Sequence, residues 1–283
     1  MAKRLSLDDI QRFETEGFCG PFQVLDAPEV ARYRAQLESF ERRHPGEGKK
    51  LKTKAHLLCP WVDELARHPR VLDPFEDLLG PDLLCYSMAF RVKEPDNRTI
   101  AGWHQDTAYS RLKPVLIIAA LALSECGPEQ GCLSVLPGTH KGPVLPHVES
   151  AGEDSILARG QSIDAPLDTS KAVDLALRPG EMSLFHFNIV HGSRANVSRE
   201  RRLMLLVEMM PTSAYQTQGR EAAMLVRGQD LHRNFELDSP PRHEFGPAEI
   251  ESWQRSVSIR AKVIFSDSRL PVSEAYGGAK HPG

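Results

Sequence analysis

Short apolar runs, bounded by proline, glycine or charged residues, dominate the chain after residue 81. The longest lie at 83–92, 115–123 and 202–210. Runs of this length are typical of buried strands, and the turn-forming residues between them indicate an all-β barrel or sandwich. The 21 prolines and 20 glycines also argue against a helix bundle. Further strands are predicted at 131–136, 173–177 and 182–187.

The region before residue 81 carries helical patterns instead. Ser6 followed by Asp9 is typical of a helix start, and Pro28 opens a second predicted helix. Shorter helices are predicted at 61–67 and 70–79, and a last one at 247–257.

We therefore predict a single domain over residues 1–283 that is mainly β with flanking α-helices. Its parts are N-terminal helices at 6–80, a β core at about 82–236, and a C-terminal helix and tail at 245–283. The polar stretch 141–171 is longer than most connections in a compact domain, so we expect a functional loop or lid there. Residues 274–283 are expected to form a frayed terminus.

The composition excludes several classes of protein. With 283 residues, 41% hydrophobic and 26% charged, the chain is expected to be globular with a sizeable core. The net charge of −3 favours no nucleic-acid partner, and no apolar run approaches the roughly 20 residues that span a bilayer. The acidic N-terminal stretch predicts no signal peptide, and five cysteines without close pairing predict no disulfide framework. A cytoplasmic protein without membrane partners is expected, while the oligomeric state stays open.

The motif His104-Gln105-Asp106 carries the first chemical signal. Residues two apart on a strand face the same side, so His104 and Asp106 are expected to point into one cavity. Two histidines and one carboxylate, with the other positions open, form the facial triad of non-haem Fe(II) oxygenases. His191, which follows a predicted strand and precedes Gly192, is the best candidate for the third ligand. Taken alone, the His-x-Asp motif is also explained by a surface ion pair or a cap.

Arg202 strengthens the interpretation as a metal site. It begins the apolar run 202–210, eleven residues after His191. A guanidinium matches a carboxylate bidentately, so Arg202 is expected to hold the distal carboxylate of 2-oxoglutarate near an open iron site. The alternatives are that Arg202 is a surface charge, or that Arg199 or Arg201 takes this role.

Four motifs follow one another along the chain. They are Trp103-His104-Gln105-Asp106, the stretch 130–140 ending in Pro137-Gly138-Thr139-His140, the stretch 179–185 leading into His191-Gly192-Ser193, and finally Arg202. In this order and spacing they resemble the phytanoyl-CoA dioxygenase family of Fe(II)/2-oxoglutarate-dependent oxygenases. The resemblance runs from about residue 7 to residue 236 and includes the segment 224–228.

This resemblance implies a double-stranded β-helix, which is a cupin-like jelly roll. It implies Fe(II) and 2-oxoglutarate as cofactors, O₂ as cosubstrate, and ascorbate as an optional supporting reductant. Iron binding is assigned to His104, Asp106 and His191. Contacts with 2-oxoglutarate are assigned to Arg202, Ser193, Gln105 and Lys93.

Three other family positions bear on the site. Halogenases among the relatives lack the carboxylate that Asp106 supplies here, so its presence favours hydroxylation or a related oxidation. His140 is expected to be a conformational element and not a ligand. Ala120 stands roughly where many relatives have an aromatic residue, which leaves room near the cosubstrate or the substrate.

The pattern marks substrate-binding residues less clearly. Trp103 and Tyr109 flank the metal motif and are expected to line the pocket, with core packing as the alternative. Arg227 and His232 belong to a polar cluster after the strands, which we expect to bind substrate unless it is a solvated loop.

The other histidines receive ordinary roles. His186 lies an odd number of residues before His191, so it should face the opposite side of a regular strand. Surface positions are expected for His56, His68 and His147.

The sequence therefore predicts an Fe(II)/2-oxoglutarate-dependent dioxygenase that hydroxylates an unactivated C–H bond and releases succinate and CO₂. Its substrate would be a small, polar metabolite or natural-product intermediate. Desaturation, oxidative cyclisation and epimerisation use the same cofactors and are the alternatives. A non-catalytic metal- or ligand-binding β-barrel is the alternative from a different class.

Overall fold

The structure, a computed structural model, describes residues 3–95, 98–114, 116–149 and 155–268. The predicted tail at 274–283 and a part of the predicted loop at 141–171 lie outside these residues. Among the helices of the described residues, none is both long enough and apolar enough to cross a membrane. The α-helices are α1 (Leu7–Glu16), α2 (Ala27–Arg43), α3 (Pro60–Ala66), α4 (Pro69–Leu79) and α5 (Pro247–Ile264).

Local signals set the starts of the first two helices. The Ser6 side chain accepts from the Asp9 backbone N–H, and the Asp9 carboxylate accepts in return from the Ser6 backbone N–H. Asp26 and Glu29 form the same reciprocal cap at the start of α2. Each cap satisfies backbone donors that a helix leaves unpaired at its N-terminus. The predicted helix starts near Ser6 and Pro28 are therefore confirmed.

The strands are short, and several contain only two residues. Their bounds are β1 (Phe18–Gln23), β2 (Leu83–Lys93), β3 (Ala101–His104), β4 (Leu112–Lys113), β5 (Ile117–Ala122), β6 (Leu133–Val135), β7 (His147–Val148), β8 (Ser162–Ile163), β9 (Val173–Leu175), β10 (Glu181–His186), β11 (His191–Ser193), β12 (Arg202–Pro211), β13 (Tyr215–Gln216), β14 (Ala222–Arg227) and β15 (Glu236–Leu237).

Two sheets build the β core. The larger sheet has seven strands in the order β1-β10-β5-β12-β2-β14-β15, and the smaller has four in the order β3-β11-β6-β9. Pairing is antiparallel in both sheets except between β14 and β15. Ile118 and Leu206 of the larger sheet share one buried cluster with Val135 and Leu175 of the smaller sheet. The two sheets therefore face each other as a double-stranded β-helix, which confirms the predicted fold class.

The alternation along β12 separates two cores. Leu203, Leu205 and Val207 pack in the cluster that contains the N-terminal helices. Met204 and Leu206 lie in the cluster between the two sheets. Because side chains alternate along a strand, Arg202 and Glu208 lie on the same face of β12 as Met204 and Leu206 and point into the interior.

Several elements differ from the prediction, among them the last helix and strand β1. The last helix continues to Ile264, well beyond the predicted end at residue 257. Strand β1 was not predicted, because its Gly20-Pro21 sequence is typical of a turn. It nevertheless pairs with β10 at the edge of the larger sheet, where an irregular register accommodates these residues.

Candidate metal centre

His104 and His191 face each other across two neighbouring strands. They are directly opposed in the β3–β11 pairing, and their ring centroids lie 4.1 Å apart. Gly192 permits this approach, because a Cβ at that position would lie 2.9 Å from the Ala101 carbonyl oxygen. Real Cβ atoms do not come this close to a backbone oxygen, so glycine sets the distance between the two strands at the site.

Backbone carbonyls fix the proton on each of these imidazoles. His104 Nδ1 lies 2.8 Å from the Gly102 carbonyl oxygen, and His191 Nδ1 lies 3.0 Å from that of Ile189. A carbonyl oxygen can only accept, so each Nδ1 donates and each Nε2 keeps a lone pair. Hydrogen bonds of this kind orient metal-binding histidines. Both rings are therefore prepared to bind a cation through Nε2.

Asp106 completes the set of donors. It begins a 3₁₀ turn just after β3 ends, and its carboxylate oxygens lie 3.4 Å from His104 Nε2 and 3.6 Å from His191 Nε2. One ligand atom from each of the three residues lies within 4.8 Å of the others. No other group of three such side chains occurs in the part of the chain that the structure describes. The arrangement matches two imidazoles and one carboxylate around one cation.

The pKa values keep these donors in the forms that bind cations. Burial, and then the neighbouring His104, lower the pKa of His191 to about 4, so its imidazole is neutral at physiological pH. Burial raises the pKa of Asp106, but the two histidines lower it more, and the net result is a pKa of about 2. A neutral imidazole and an ionised carboxylate are the forms that donate electron pairs to a metal.

The three donors line a cavity of about 110 Å³ that also contains Ser193 and Arg202. Arg202 is 1% exposed and donates to the carbonyl oxygens of Gly131 and Arg91, the latter at 3.3 Å. Its Nε has no hydrogen-bond partner, and no carboxylate of the described residues pairs with it. Burial lowers the pKa of Arg202 to about 10, so the guanidinium is still charged at neutral pH. A buried cation without a counter-ion is costly, and an anionic ligand in the cavity would relieve this cost.

A model of the phytanoyl-CoA dioxygenase family matches residues 13–204. The chain belongs to the phytanoyl-CoA dioxygenase family. The predicted family resemblance is thereby confirmed, and the match contains all three donors and Arg202. It ends inside β12, so the remaining strands and α5 lie outside the family match.

A sequence relative and two solved structures show what else this chain is similar to. A probable alpha-ketoglutarate-dependent hypophosphite dioxygenase of Stutzerimonas stutzeri is 30% identical over 182 residues, which cover 62% of this chain and 63% of that relative. The chain thus matches less than two thirds of the relative's length. The apo structure of the non-heme monooxygenase ThoJ is 27% identical with a TM-score of 0.81, covering 91% of this chain and 97% of ThoJ. EvdO2 of Micromonospora carbonacea var. aurantiaca, complexed with 2-oxoglutarate, is 27% identical with a TM-score of 0.61, covering 78% and 96%.

Lys93 and Ser193 lie beside Arg202, as the family resemblance implies. Lys93 is opposed to Arg202 in the β2–β12 pairing, and its ammonium donates to Ser193 Oγ at 2.8 Å and to the Arg194 carbonyl oxygen. Burial, and then the nearby Arg202, lower the pKa of Lys93 to about 7. Ser193 lines the cavity, whereas Lys93 reaches it through the serine hydroxyl. Both roles toward 2-oxoglutarate stay predictions.

The lowered pKa of Lys93 predicts a specific dependence of stability on pH. In the unfolded chain a lysine keeps its proton up to about pH 10. Between its folded pKa of about 7 and that value, the unfolded chain binds one more proton, so the free energy of unfolding rises with pH. Urea unfolding at several pH values in this window measures how the free energy of unfolding changes with pH. This free energy should rise more steeply with pH in the wild type than in Lys93→Met, by up to about 1.4 kcal/mol per pH unit. Equal slopes would contradict the burial of this ammonium.

The structure places Gln105 away from the cavity. Its side-chain nitrogen donates to the Asn188 carbonyl oxygen at 2.9 Å, and its side-chain oxygen accepts from the Leu145 N–H at 2.9 Å. Its own N–H donates to His147 Nε2 at 3.0 Å. Gln105 does not line the cavity that contains Arg202, and in this structure it connects the metal loop to the segment around residue 145.

The two aromatic candidates lie on different sides of the metal motif. Tyr109 lines the cavity, and the Arg159 guanidinium lies 4.0 Å from its ring centroid. Trp103 precedes His104 on β3 and therefore faces the other side of the smaller sheet, outside the cavity. The structure thus brings only Tyr109 to the cavity.

Arg227 and His232 do not reach the cavity, which corrects the prediction of a substrate-binding cluster. Arg227 forms ion pairs with Asp73 at 2.7 Å and Glu76 at 2.6 Å, both on α4. His232 is exposed in a turn whose backbone N–H groups donate to Asp230. Arg227 therefore connects the end of β14 to α4, and His232 belongs to a solvated turn.

We expect Arg227→Ala to change stability and not catalysis. Its ion pairs are partly exposed, so their loss should lower the free energy of unfolding by about 1 kcal/mol. Urea unfolding measures this change. The KM for 2-oxoglutarate of the variant should equal that of the wild type, and a large increase in it would restore Arg227 as a candidate for the site.

The histidines predicted at the surface are more buried than expected. His56 is 0% exposed and neither ring nitrogen has a hydrogen-bond partner, so the prediction for it is wrong. Its burial among cationic neighbours holds its pKa well below the usual range. His68 is partly buried against Glu29 at 3.3 Å, and His147 is partly buried against Gln105.

His140 and His186 lie outside the cavity, as predicted. His140 packs so closely on α1 that a Cβ at Gly17 would lie 2.5 Å from His140 Nδ1. His186 Nδ1 accepts from the Asn188 N–H at 3.0 Å. Neither ring contributes to the group of metal donors.

Four charged residues of the cavity were not predicted from the sequence, namely Arg91, Arg159, Glu208 and Arg260. The last three are each less than a tenth exposed. Glu208 lies six residues after Arg202 on β12, and this even spacing could have placed it on the interior face. The sequence carries no comparable signal for Arg159 in an irregular segment or for Arg260 on α5.

Proposed function

We propose that this chain is an Fe(II)/2-oxoglutarate-dependent oxygenase that hydroxylates a C–H bond of a small, polar molecule and releases succinate and CO₂. The observation that carries the proposal is one cavity that holds both His104, Asp106 and His191 and the buried Arg202. A barrel that binds only a metal ion would gain nothing from a buried guanidinium without a counter-ion, because burying that charge costs free energy. The names of the relatives and the EvdO2 complex support the same cofactors.

The residues present fit these cofactors. The two imidazoles and the carboxylate would hold Fe(II), since both Nδ1 atoms are committed to backbone carbonyls and both Nε2 lone pairs point toward Asp106. A bound Fe(II), with 2-oxoglutarate and O₂, would supply the oxidising chemistry. Arg202 would bind the distal carboxylate of 2-oxoglutarate through charge-assisted hydrogen bonds, while Lys93 and Ser193 add donors beside it.

The chain also shapes the environment of the reaction. Met204, Leu206 and Phe187 give the cavity apolar walls. The segment 156–159 closes one side, in the region where the sequence predicts a functional loop. These walls would exclude water from the reacting centre and orient the substrate.

Succinate formation tests the proposal directly. Metal-stripped protein is supplied with Fe(II), 2-oxoglutarate and ascorbate in air, and succinate is measured against a metal-free blank. We expect succinate only when both Fe(II) and 2-oxoglutarate are present. Binding of both ligands with succinate no higher than the blank would contradict the proposal and favour a non-catalytic barrel. Product mass then separates hydroxylation, which adds one oxygen atom, from desaturation, cyclisation and epimerisation.

A further inference from the structure

The cavity extends along β12 to a second charged position. Arg202, Met204, Leu206 and Glu208 all line it, and their even spacing places them on one face of the strand. At a rise of about 3.3 Å per residue, Glu208 lies on the order of 20 Å along the strand from Arg202. Arg202 therefore marks one end of the cavity, and Glu208 marks the other.

At this far end Glu208 forms a buried ion pair with Arg260 of α5. Arg260 Nη2 donates to Glu208 Oε2 at 3.0 Å, and both side chains are 8% exposed. The Arg260 guanidinium also lies 4.2 Å from the ring centroid of Tyr86, whose hydroxyl donates to Glu221 at 2.8 Å. The position of the pair is thus set by β12, β2 and α5 together.

Docking of α5 does not require this ion pair. Trp253 and Val257 of the same helix are fully buried in the large apolar cluster. A buried ion pair contributes no more to stability than well-packed apolar residues of similar size, because both charges lose their hydration. Apolar residues at 208 and 260 would hold α5 equally well, so the charges call for a role in the cavity that they line.

The surroundings of the pair are typical of a ligand site. Leu206, Phe187 and Ile264 make the walls apolar, and a few placed polar groups in an apolar cavity orient a ligand. Glu208 and Arg260 also lie beyond residue 204, where the family match ends. The donors for the metal lie within the match, and the ion pair lies outside it, which suits a role in selecting the substrate.

We propose that Glu208 and Arg260 select the substrate, and that this substrate is a small zwitterion with neighbouring ammonium and carboxylate groups, as in a free amino acid. This inference rests on the proposed function. The substrate carboxylate accepts from the Arg260 guanidinium, and its ammonium donates to the Glu208 carboxylate. Because the ion pair is buried, a ligand with only one charge would bind one member of the pair and leave the other without a partner in a medium of low dielectric constant.

A set of matched compounds tests the wild-type protein. The probes are L-leucine with isocaproate and isoamylamine, L-phenylalanine with hydrocinnamate and phenethylamine, and L-proline with cyclopentanecarboxylate and pyrrolidine. Each set keeps the carbon skeleton and removes one charge. We expect at least one amino acid to raise the rate of succinate formation at least about 10-fold above the rate without substrate, while its acid and amine do not. Equal stimulation by an acid or amine, or none by any amino acid, would overturn the inference.

Two variants test the residues. Glu208→Gln keeps the size of the side chain and removes its charge, so the KM for the active amino acid should rise about 10-fold or more relative to the KM for 2-oxoglutarate. The matched control is Glu221→Gln, since Glu221 is buried and also bonded to Tyr86 but does not line the cavity. Neither KM should change in the control. The ratio of the KM for the amino acid to the KM for 2-oxoglutarate decides between the two roles of the ion pair. If this ratio is the same in Glu208→Gln and Glu221→Gln, the ion pair only docks α5.

Anaerobic calorimetry separates this inference from the proposed function. If succinate forms but no amino acid raises its rate or binds, the inference is wrong and the proposed function stands. If no succinate forms under any condition, the proposed function fails, and binding still decides the inference. Binding of an amino acid that Glu208→Gln weakens and Glu221→Gln preserves supports it, and absence of binding overturns it.

Discussion

An Asp106→Ala protein is expected to lose both Fe(II) binding and the Fe(II)-dependent formation of succinate. Asp106 supplies the only carboxylate among the three donor atoms that lie within 4.8 Å of one another in the described part of the chain. Removing a residue that only orients a metal ligand costs about 10- to 100-fold in metal affinity, so removing the ligand itself should cost at least about 100-fold. His104→Ala should behave in the same way, because it removes one of the two oriented imidazoles.

Asp174→Ala is the matched control for this prediction. Asp174 is similarly exposed, with 32% of its side chain accessible against 26% for Asp106. It lies on β9 of the smaller sheet, which also carries His104 and His191, but outside the cavity, and it accepts from Ser134 at 2.5 Å. Equilibrium dialysis with metal analysis and the succinate assay should show wild-type values for this control. Wild-type activity in Asp106→Ala or in His104→Ala would instead mean that the metal binds elsewhere.

The structure brings the predicted metal donors together, but through a geometry that differs in part from the predicted one. A regular strand through this motif would place His104 and Asp106 on the same side. In the structure β3 ends at His104, and Asp106 begins a 3₁₀ turn that returns its carboxylate to the two imidazoles. His191 was the best candidate for the third ligand, but the pairing of β11 with β3 that brings it to His104 was not predicted. The local pattern thus indicates the chemistry, whereas the pairing of distant strands creates the site.

Charged residues were predicted least well, because a sequence shows a charge but not its partner. Arg227 follows a strand and resembles a site residue, yet its partners lie on α4, more than 150 residues earlier in the chain. Arg260 lies beyond the predicted end of the C-terminal helix and yet faces the cavity beside Glu208. The fold class depends on hydrophobic periodicity and turn residues, which are local, and for this reason it was predicted more completely than the far end of the cavity.

Strand alternation gives the three neighbouring arginines different positions. Arg201 forms ion pairs with Glu41 at 2.7 Å and Glu94 at 2.8 Å on the outside of the barrel. Arg202, one residue later, points into the cavity and is almost fully buried. Arg199 is exposed and does not line the cavity. The structure therefore favours Arg202 for the carboxylate of 2-oxoglutarate.

Arg202→Ala is accordingly expected to raise the KM for 2-oxoglutarate on the order of 100-fold, while Arg201→Ala leaves it unchanged. Hydrogen bonds to a charged group contribute roughly 1.5–3 kcal/mol each, and a guanidinium can make two of them to one carboxylate. Arg201→Ala should only lower stability by about 1 kcal/mol, since its ion pairs are partly exposed. Succinate formation at varied 2-oxoglutarate concentration measures the KM values, and a similar KM in both variants would contradict the assignment to Arg202.

Thermal unfolding separates a lost binding contact from general damage in the same two variants. A ligand that binds only the folded protein stabilises it by mass action, so 2-oxoglutarate with Fe(II) under anaerobic conditions should raise the Tm of the wild type and of Arg201→Ala. The same additions should raise the Tm of Arg202→Ala by no more than Fe(II) alone raises it. Its Tm without ligand should fall little, because the wild-type protein spends folding free energy on a buried guanidinium without a carboxylate partner. A large fall in that Tm, with a normal response to 2-oxoglutarate, would show that Arg202 supports the fold and not the cosubstrate.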